Sequence, residues 1–354
     1  MAVADKPLLA VLKGGKAGKT PLWLMRQAGR YLPEYRALRA EKGGFLDLVQ
    51  DPDSAAEVTL QPIRRFGFDG AILFSDILMV PFALGQDLRF EAGEGPRLSP
   101  TLVDSALADL DSAPDRLHPV YRTVEKVAGC LPQATTFLGF AGSPWTVATY
   151  MVAGQGSKDQ GEARRLAYGD PGAFQAIVEA ISGLTVDYLS RQVESGVEAV
   201  QLFDSWAGSL SPAQFERWVI APTASLVAAF KARHPDTPVI GFPKGAGGKL
   251  PAYARETGVD AVGIDETVDP DWAHTNLPEG MPVQVHYAAE DPWVEAGEVA
   301  ALGDAVKGAG AAFEEHAYPG TGHLFADPDL PGYDLASSEE MWRRVLAFLD
   351  RVDA

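Results

Sequence analysis

Two arginines four residues apart, Arg26 and Arg30, flank the small and flexible Gln27-Ala28-Gly29, and Arg36 and Arg39 follow within the same 14 residues. A guanidinium fork offers two parallel N–H donors that match the two oxygens of a carboxylate. The alternative is a solvated basic helix face. Gly29 and Pro33 speak against it, because both disfavour a helix interior. A loop gripping an anionic ligand, set at the end of the apolar run Pro21-Leu22-Trp23-Leu24, is the better account. A second chemical candidate is Asp76, a lone acid in the apolar stretch Ile72-Leu73-Phe74-Ser75-Asp76-Ile77-Leu78-Met79-Val80. Such a carboxylate either caps a turn or helix or is a functional group, and the residues alone leave both open.

The elements that must carry these side chains follow from the alternation of apolar runs and amphipathic segments. Eight strands are predicted, at 22–26, 70–75, 135–141, 199–204, 238–243, 261–265, 282–288 and 311–318. Helices are predicted at 53–66, 115–129, 170–195, 212–233, 248–257, 295–309 and 337–352, with Asp53 and Ser211 as N-caps. Strands alternating with helices indicate parallel pairing through helical crossovers, and eight of them suggest a closed (β/α)8 barrel of the α/β class. Arg26, Asp76, Ser205, Lys244 and Asp265 each fall at or just after an apolar run. In this barrel, chemistry gathers at the carboxyl ends of the strands. Residues 86–100 read as a Gly/Pro/charge-rich insertion, and 1–20 as a loosely ordered lead-in. Gly245-Ala246-Gly247-Gly248 reads as a tight strand-to-helix turn rather than a phosphate cradle.

Composition narrows the function classes. The 354 residues carry a net charge of −18, which argues against a nucleic-acid surface but not against an anionic ligand held in a local arginine cluster. No apolar run reaches the length of a membrane span, and the N-terminus lacks a secretory pattern. A single cysteine, Cys130, excludes an internal disulfide and a cysteine-rich zinc site. A soluble cytoplasmic protein is the expectation.

The segment Met25–Arg36 resembles the N-terminal signature of the uroporphyrinogen decarboxylase family. The likeness continues through Phe74-Ser75-Asp76-Ile77-Leu78, Gly139–Thr146 (GFAGSPWT), Thr149-Tyr150-Met151, Leu202–Gly208 (LFDSWAG) and Gly241–Gly247 (GFPKGAG), so that it covers about residues 15–280. It implies a TIM barrel, a carboxy-lyase of haem and porphyrin biosynthesis, a tetrapyrrole substrate, a homodimer, and no cofactor or metal. The reaction would remove four acetate carboxyls from uroporphyrinogen III to give coproporphyrinogen III. Protonation turns a pyrrole into a cation that draws in the electrons left by departing carbon dioxide, so the substrate serves as its own sink. The resemblance makes Asp76, Arg26 and Arg30 catalytic: Asp76 accepts the pyrrole N–H groups and faces the developing cation, and the arginines clamp carboxylates, one of them holding the departing group or delivering the proton. Gln27, Ala28 and Gly29 belong to the same substrate-binding segment. Tyr150 and Ser205 match positions that contact substrate carboxylates, against the alternatives of core packing and a turn hydroxyl. Phe203 packs on the macrocycle, although a buried strand phenylalanine needs no such role. Arg39 matches a position near the site, or forms a surface salt bridge.

The likeness stops after Met281-Pro282-Val283-Gln284. The chain continues His286-Tyr287-Ala288-Ala289-Glu290-Asp291-Pro292-Trp293 and later Tyr318-Pro319-Gly320-Thr321-Gly322-His323, and Glu266 stands where the decarboxylase pattern has tryptophan. Residues 282–354 resemble the dienelactone hydrolase family, in which Asp291 and His323 match two members of a catalytic triad. The nucleophile elbow Gly-x-Ser/Cys-x-Gly is missing from the sequence, and Cys130 lacks its strand-turn-helix context. This segment would supply or replace the last two βα units of a single 1–354 barrel, placing His323 after the eighth strand as a further substrate-binding residue. The other readings are ester or lactone hydrolysis, and a chimera that binds porphyrinogen without turnover.

Overall fold

The computed structural model describes residues 6–18, 21–91, 95–157, 159–265, 283–288, 313–319, 326 and 333–352. The chain divides into two compact units. One comprises residues 1–29 and 34–267, the other 30–33 and 268–354.

The first unit opens with α1 (Pro7–Leu12), followed by α2 (Pro33–Lys42), α3 (Phe45–Gln50), α4 (Pro52–Phe66), β1 (Gly70–Ile72) and α5 (Met79–Ala83). A ribbon of β2 (Asp87–Glu91) and β3 (Gly95–Ser99) precedes α6 (His118–Ala128), β4 (Thr136–Gly142), α7 (Pro144–Ala153), α8 (Gly161–Gly169) and α9 (Pro171–Glu194). Then come β5 (Ala199–Asp204), α10 (Pro212–Phe215), α11 (Ala221–Arg233), β6 (Val239–Pro243), α12 (Leu250–Glu256) and β7 (Ala261–Val262). Strands β1, β4, β5, β6 and β7 form one parallel sheet in that order. Every residue of β4 is buried, as expected of a parallel strand covered on both faces.

Several sequence expectations are corrected here. Residues 22–26 form no strand. Leu22 meets Asp69 in both directions, its N–H bonding Asp69 Oδ2 at 2.9 Å and its carbonyl accepting from Asp69 N at 2.9 Å. The edge of β1 is taken instead by the buried Gln27 amide, which donates to Gly70 O at 2.7 Å and accepts from Ile72 N at 3.0 Å. One side chain thus satisfies the donor and acceptor a neighbouring strand would have used. The lead-in contains α1, tied down by Lys6, whose Nζ bonds Thr135 O at 3.1 Å and Glu198 Oε2 at 2.6 Å. The cap of α4 is Asp51, not Asp53: its carboxylate accepts from Asp53 N and Ser54 N, because Pro52 takes the first helical position. Ser211 is the cap residue of α10 but makes no side-chain cap bond. A π-helical turn at Glu216–Ile220 separates α10 from α11 inside the predicted 212–233 helix.

The 86–100 insertion is the antiparallel β2–β3 ribbon. It clasps the end of α7: Leu98 N bonds Gly154 O at 2.8 Å, Leu102 N bonds Met151 O at 3.0 Å, and the buried Gln86 amide donates to Met151 O at 3.1 Å. These bonds serve carbonyls near the end of the helix and in its cap.

In the second unit, β8 (Val283–Ala288) and β9 (Phe313–Tyr318) pair in parallel, and α13 (Leu335–Val352) follows. Buried Tyr318 packs against Ala326 and Met341, with Arg344 over its ring at 5.2 Å. Asp334 caps α13 by accepting from Ser337 N at 2.7 Å. The predicted 295–309 helix, Glu266, Asp291 and His323 lie outside the described residues. Among the described residues no helix is long and apolar enough to cross a membrane.

Candidate active site

The carboxyl ends of β1, β4, β5 and β6 are where the predicted residues collect. Asp76 lies in the loop after β1, and its carboxylate accepts from Leu78 N at 2.8 Å while its own carbonyl receives Met79 N at 3.3 Å. The turn reading is what these bonds show: one carboxylate oxygen of Asp76 closes a local turn. A solvent-facing edge persists although protein surrounds it in depth, and this burial pushes its pKa from 3.8 to about 6, against the lowering effects of the Leu78 N–H and of the Arg26 charge. Gly142 lets this loop lie against the end of β4, since a Cβ there would stand 3.0 Å from Ile77 Cβ and 2.5 Å from Val147 Cγ2.

Arg26 is exposed in the turn after Leu24, within the electrostatic reach of both Asp76 and Tyr150. Tyr150, on α7, is half-buried. Burial raises its phenol pKa, the Trp206 indole N–H lowers it without making a hydrogen bond of ordinary geometry, and Asp76 raises it. Arg26, Asp76 and Tyr150 thus lie within electrostatic reach of one another. Trp206 stands beside Tyr150 with ring centroids 6.2 Å apart. It follows Ser205, which is half-buried, and Phe203 at the end of β5.

Phe203 forms an aromatic row across the strand ends. Its ring meets Phe140 of β4 edge-on at 5.5 Å and Phe242 of β6 edge-on at 6.0 Å. Phe203 and Phe242 are partly exposed, so the row presents apolar ring surface. The loops after β5 and β6 cross backbone to backbone beside it. A Cβ at Gly208 would fall 2.5 Å from Gly245 O, and Gly245 itself has φ +70. This close approach accounts for Gly208 and Gly245 by packing. Gly245 N bonds Asp265 Oδ2 at 2.6 Å, which gives the strand-end Asp265 a structural task.

The remaining predicted residues are placed as follows. The Gln27 side chain is spent on the β1 backbone, and Ala28 and Gly29 are half-buried. Arg30 is exposed and groups with the second unit. Arg39 donates to Tyr35 Oη at 3.0 Å, and Tyr35 packs edge-on against Phe74 at 5.9 Å. Sequence reasoning missed Asp204 and Thr146. Asp204 is fully buried, accepts from Thr146 Oγ1 at 2.5 Å, and has its pKa pushed up to about 7 by burial. Its signal was available: an acid at the end of an otherwise apolar strand, between two residues already singled out. Among the described residues no group of three or more His, Cys, Asp or Glu side chains could hold a metal ion.

An α/β barrel enzyme with arginine, aspartate and aromatic rings at the strand ends is the class that this arrangement defines. The Uroporphyrinogen decarboxylase (URO-D) family model matches residues 4–286. The chain is 68% identical over 323 residues to the uroporphyrinogen decarboxylase of Rhizorhabdus wittichii, covering 90% of this chain and 91% of that relative. It is 65% identical over 350 residues to that of Sphingopyxis alaskensis, covering 98% and 99%. The chain belongs to the uroporphyrinogen decarboxylase family, and its fold is the (β/α)8 barrel. A methyltransferase from Methanosarcina mazei shares the fold with a TM-score of 0.65 at 14% identity, over 97% of this chain and 99% of that one. The Dienelactone hydrolase family model matches residues 237–352, as the C-terminal resemblance implied.

Proposed function

We propose that the chain is a carboxy-lyase of porphyrin biosynthesis that removes the four acetate carboxyls of uroporphyrinogen III without a cofactor, giving coproporphyrinogen III. The observation that carries this reading is the shared field of Arg26, Asp76 and Tyr150 at the carboxyl ends of the strands, next to the aromatic row. In each round a proton adds to the ring carbon beside the one bearing the acetate. The bond to the carboxylate then breaks, carbon dioxide leaves, and its electron pair neutralises the ring cation as an exocyclic double bond. A second proton completes the methyl group and the first leaves the ring. Net, one proton replaces one carbon dioxide.

Asp76 is suited to the cationic stage. Its carboxylate has one oxygen free of the local turn, and a partly desolvated anion stabilises charge that develops only in the transition state. Arg26 and Arg30 hold carboxylates and, with Asp76, make up the catalytic set. Tyr150 and Ser205 orient the substrate, Phe203 packs on its face, and Ala28 and Gly29 line the same segment. Gln27 contributes by holding β1. His323 completes the substrate contacts in this proposal, and residues 282–354 take the place of the last two βα units. A relative aligned over 99% of its own length and 98% of this chain supports that placement. The enzyme acts as a cytoplasmic homodimer in this reading.

Carbon dioxide release from uroporphyrinogen III, followed together with the appearance of coproporphyrinogen, tests the proposal. Binding without release would leave the chimera that retains affinity alone. Turnover of an ester in place of uroporphyrinogen would favour the hydrolase reading, which lacks a nucleophile elbow in this sequence.

A further inference from the structure

Asp204 sits inside one of the motifs that mark the site, yet the proposed chemistry does not use it. It alternates with Phe203 on β5: Phe203 meets the rings of Phe140 and Phe242, whereas Asp204 bonds Thr146 on α7. We infer that Asp204 is a positioning residue that locks the start of α7 to the end of β5, and so holds Trp206, Ser205 and Tyr150 in the arrangement that orients the substrate. The inference rests on the decarboxylase reading for its kinetic consequence, but not for its structural one.

The connection runs through three groups. Trp206 N donates to Thr146 Oγ1 at 3.1 Å, and Thr146 Oγ1 donates to Asp204 Oδ1 at 2.5 Å. Each donor in the chain polarises the next. Ser143, the cap residue of α7, makes no side-chain cap bond, and the helix start is instead tied to the neighbouring strand by the Thr146 hydroxyl on Asp204. The carboxylate also lies at the end of the helix where negative charge is favoured. Two further bonds hold the same loop, from Trp145 Nε1 to Trp206 O at 3.3 Å and from Ser209 Oγ to Trp206 O at 3.1 Å. Trp206 in turn stands against Tyr150, near the far end of α7.

Burial makes this an expensive way to hold the start of a helix. Asp204 is 0% exposed, and its Oδ2 has no hydrogen-bond partner. A serine cap would satisfy the helix locally at far lower desolvation cost. What a local cap does not achieve is a joint between two strand-end loops, and that joint is what Asp204 makes.

The test compares Asp204→Asn, Thr146→Val and Thr146→Ser with the wild-type chain by amide hydrogen exchange at Trp206 and by steady-state kinetics with uroporphyrinogen III. Asp204→Asn and Thr146→Val are each expected to speed exchange at Trp206 by about tenfold and to raise KM by about tenfold, the worth of one strong hydrogen bond, while kcat moves by less than about threefold. Thr146→Ser keeps the hydroxyl and restores both readouts relative to Thr146→Val. Combining Asp204→Asn with Thr146→Val is expected to do no more than either alone, since both cut one chain. Unchanged exchange at Trp206 in both single variants overturns the inference, as does faster exchange with KM unmoved. A wild-type chain that releases no carbon dioxide counts against the decarboxylase reading alone, because the exchange comparison stands without turnover. If Asp204→Asn does not fold, Thr146→Val decides by the same two readouts.

Discussion

The two compact units both contain parallel strands and helices, but they are held together differently. The first is built on a five-stranded sheet whose β4 is buried along its whole length, with Trp145, Trp218 and Tyr253 fully enclosed around it. Three of its buried polar side chains are spent as structural joints, with Gln27 on β1, Gln192 on β4 and Asp204 on α7. Among the described residues of the second unit, Tyr318 and Phe348 are the buried large side chains, while ion pairs of Glu340 with Arg343 and Arg344 run along α13 and Arg351 ties it to Glu314. The difference teaches that strand-helix periodicity specifies a unit without specifying chemistry. The second unit lies largely within the match to a hydrolase family model and carries no complete hydrolase motif, whereas the first carries the decarboxylase motifs apart from residues 30–33 of Met25–Arg36.

The largest effect is expected from the first unit's acid. Asp76→Asn keeps the bond to Leu78 N through its amide oxygen but loses the charge, and kcat for carbon dioxide release should fall by about 10²–10³-fold. A variant within a few-fold of wild type would remove Asp76 from the mechanism.

Arg26→Met should raise KM by about 10–100-fold, the worth of a charged hydrogen bond to a carboxylate. It should also move the acid limb of kcat/KM upward, because the Arg26 charge lowers the pKa of Asp76. In the wild type that limb should fall as pH drops through about 6, where Asp76 takes up its proton. Arg30→Met asks the same question of the second arginine of the pair, and an equal rise in KM is expected if it too holds a carboxylate.

Gln27→Leu leaves Gly70 O and Ile72 N without their partner and should cost about 1–3 kcal/mol per buried group in urea unfolding, with no specific effect on the pH profile. The buried acids add a pH dependence of definite sign. Asp76 and Asp204 have folded values of about 6 and about 7, above the unfolded 3.8, so each binds its proton more tightly when folded. Their stabilising contribution is complete below 3.8 and is lost as pH rises through those values. Asp76→Asn should flatten the part of this decline between 3.8 and about 6, as read by urea midpoints across that range.

The smallest effect belongs to α13. Glu340 is held down to about 2 by Arg343 first and then Arg344, so its contribution is present above 4.5 and lost as pH falls toward 2. The group is exposed, and salt screens it. Glu340→Gln should shift the unfolding midpoint slightly at low salt and not at all in molar salt. A large shift would overturn the contrast drawn between the units.

Much of this was legible in the residues themselves. Hydrophobic runs located β1, β4, β5 and β6 to within a few residues, and helices 171–194 and 335–352 nearly to their ends. Periodicity reports burial, and burial in a parallel sheet is continuous, so such strands stand out. The 22–26 run misled because an apolar segment next to a sheet reads like a strand whether or not a glutamine side chain has taken its hydrogen bonds. Residue type and local order determined that this chain would carry arginines, a lone acid and aromatic rings at strand ends. Only the tertiary structure decided which of them share a field. Gln27 was spent on the sheet and Asp204 on the joint between β5 and α7, because the partners of a buried polar group are set by distant backbone brought near in folding.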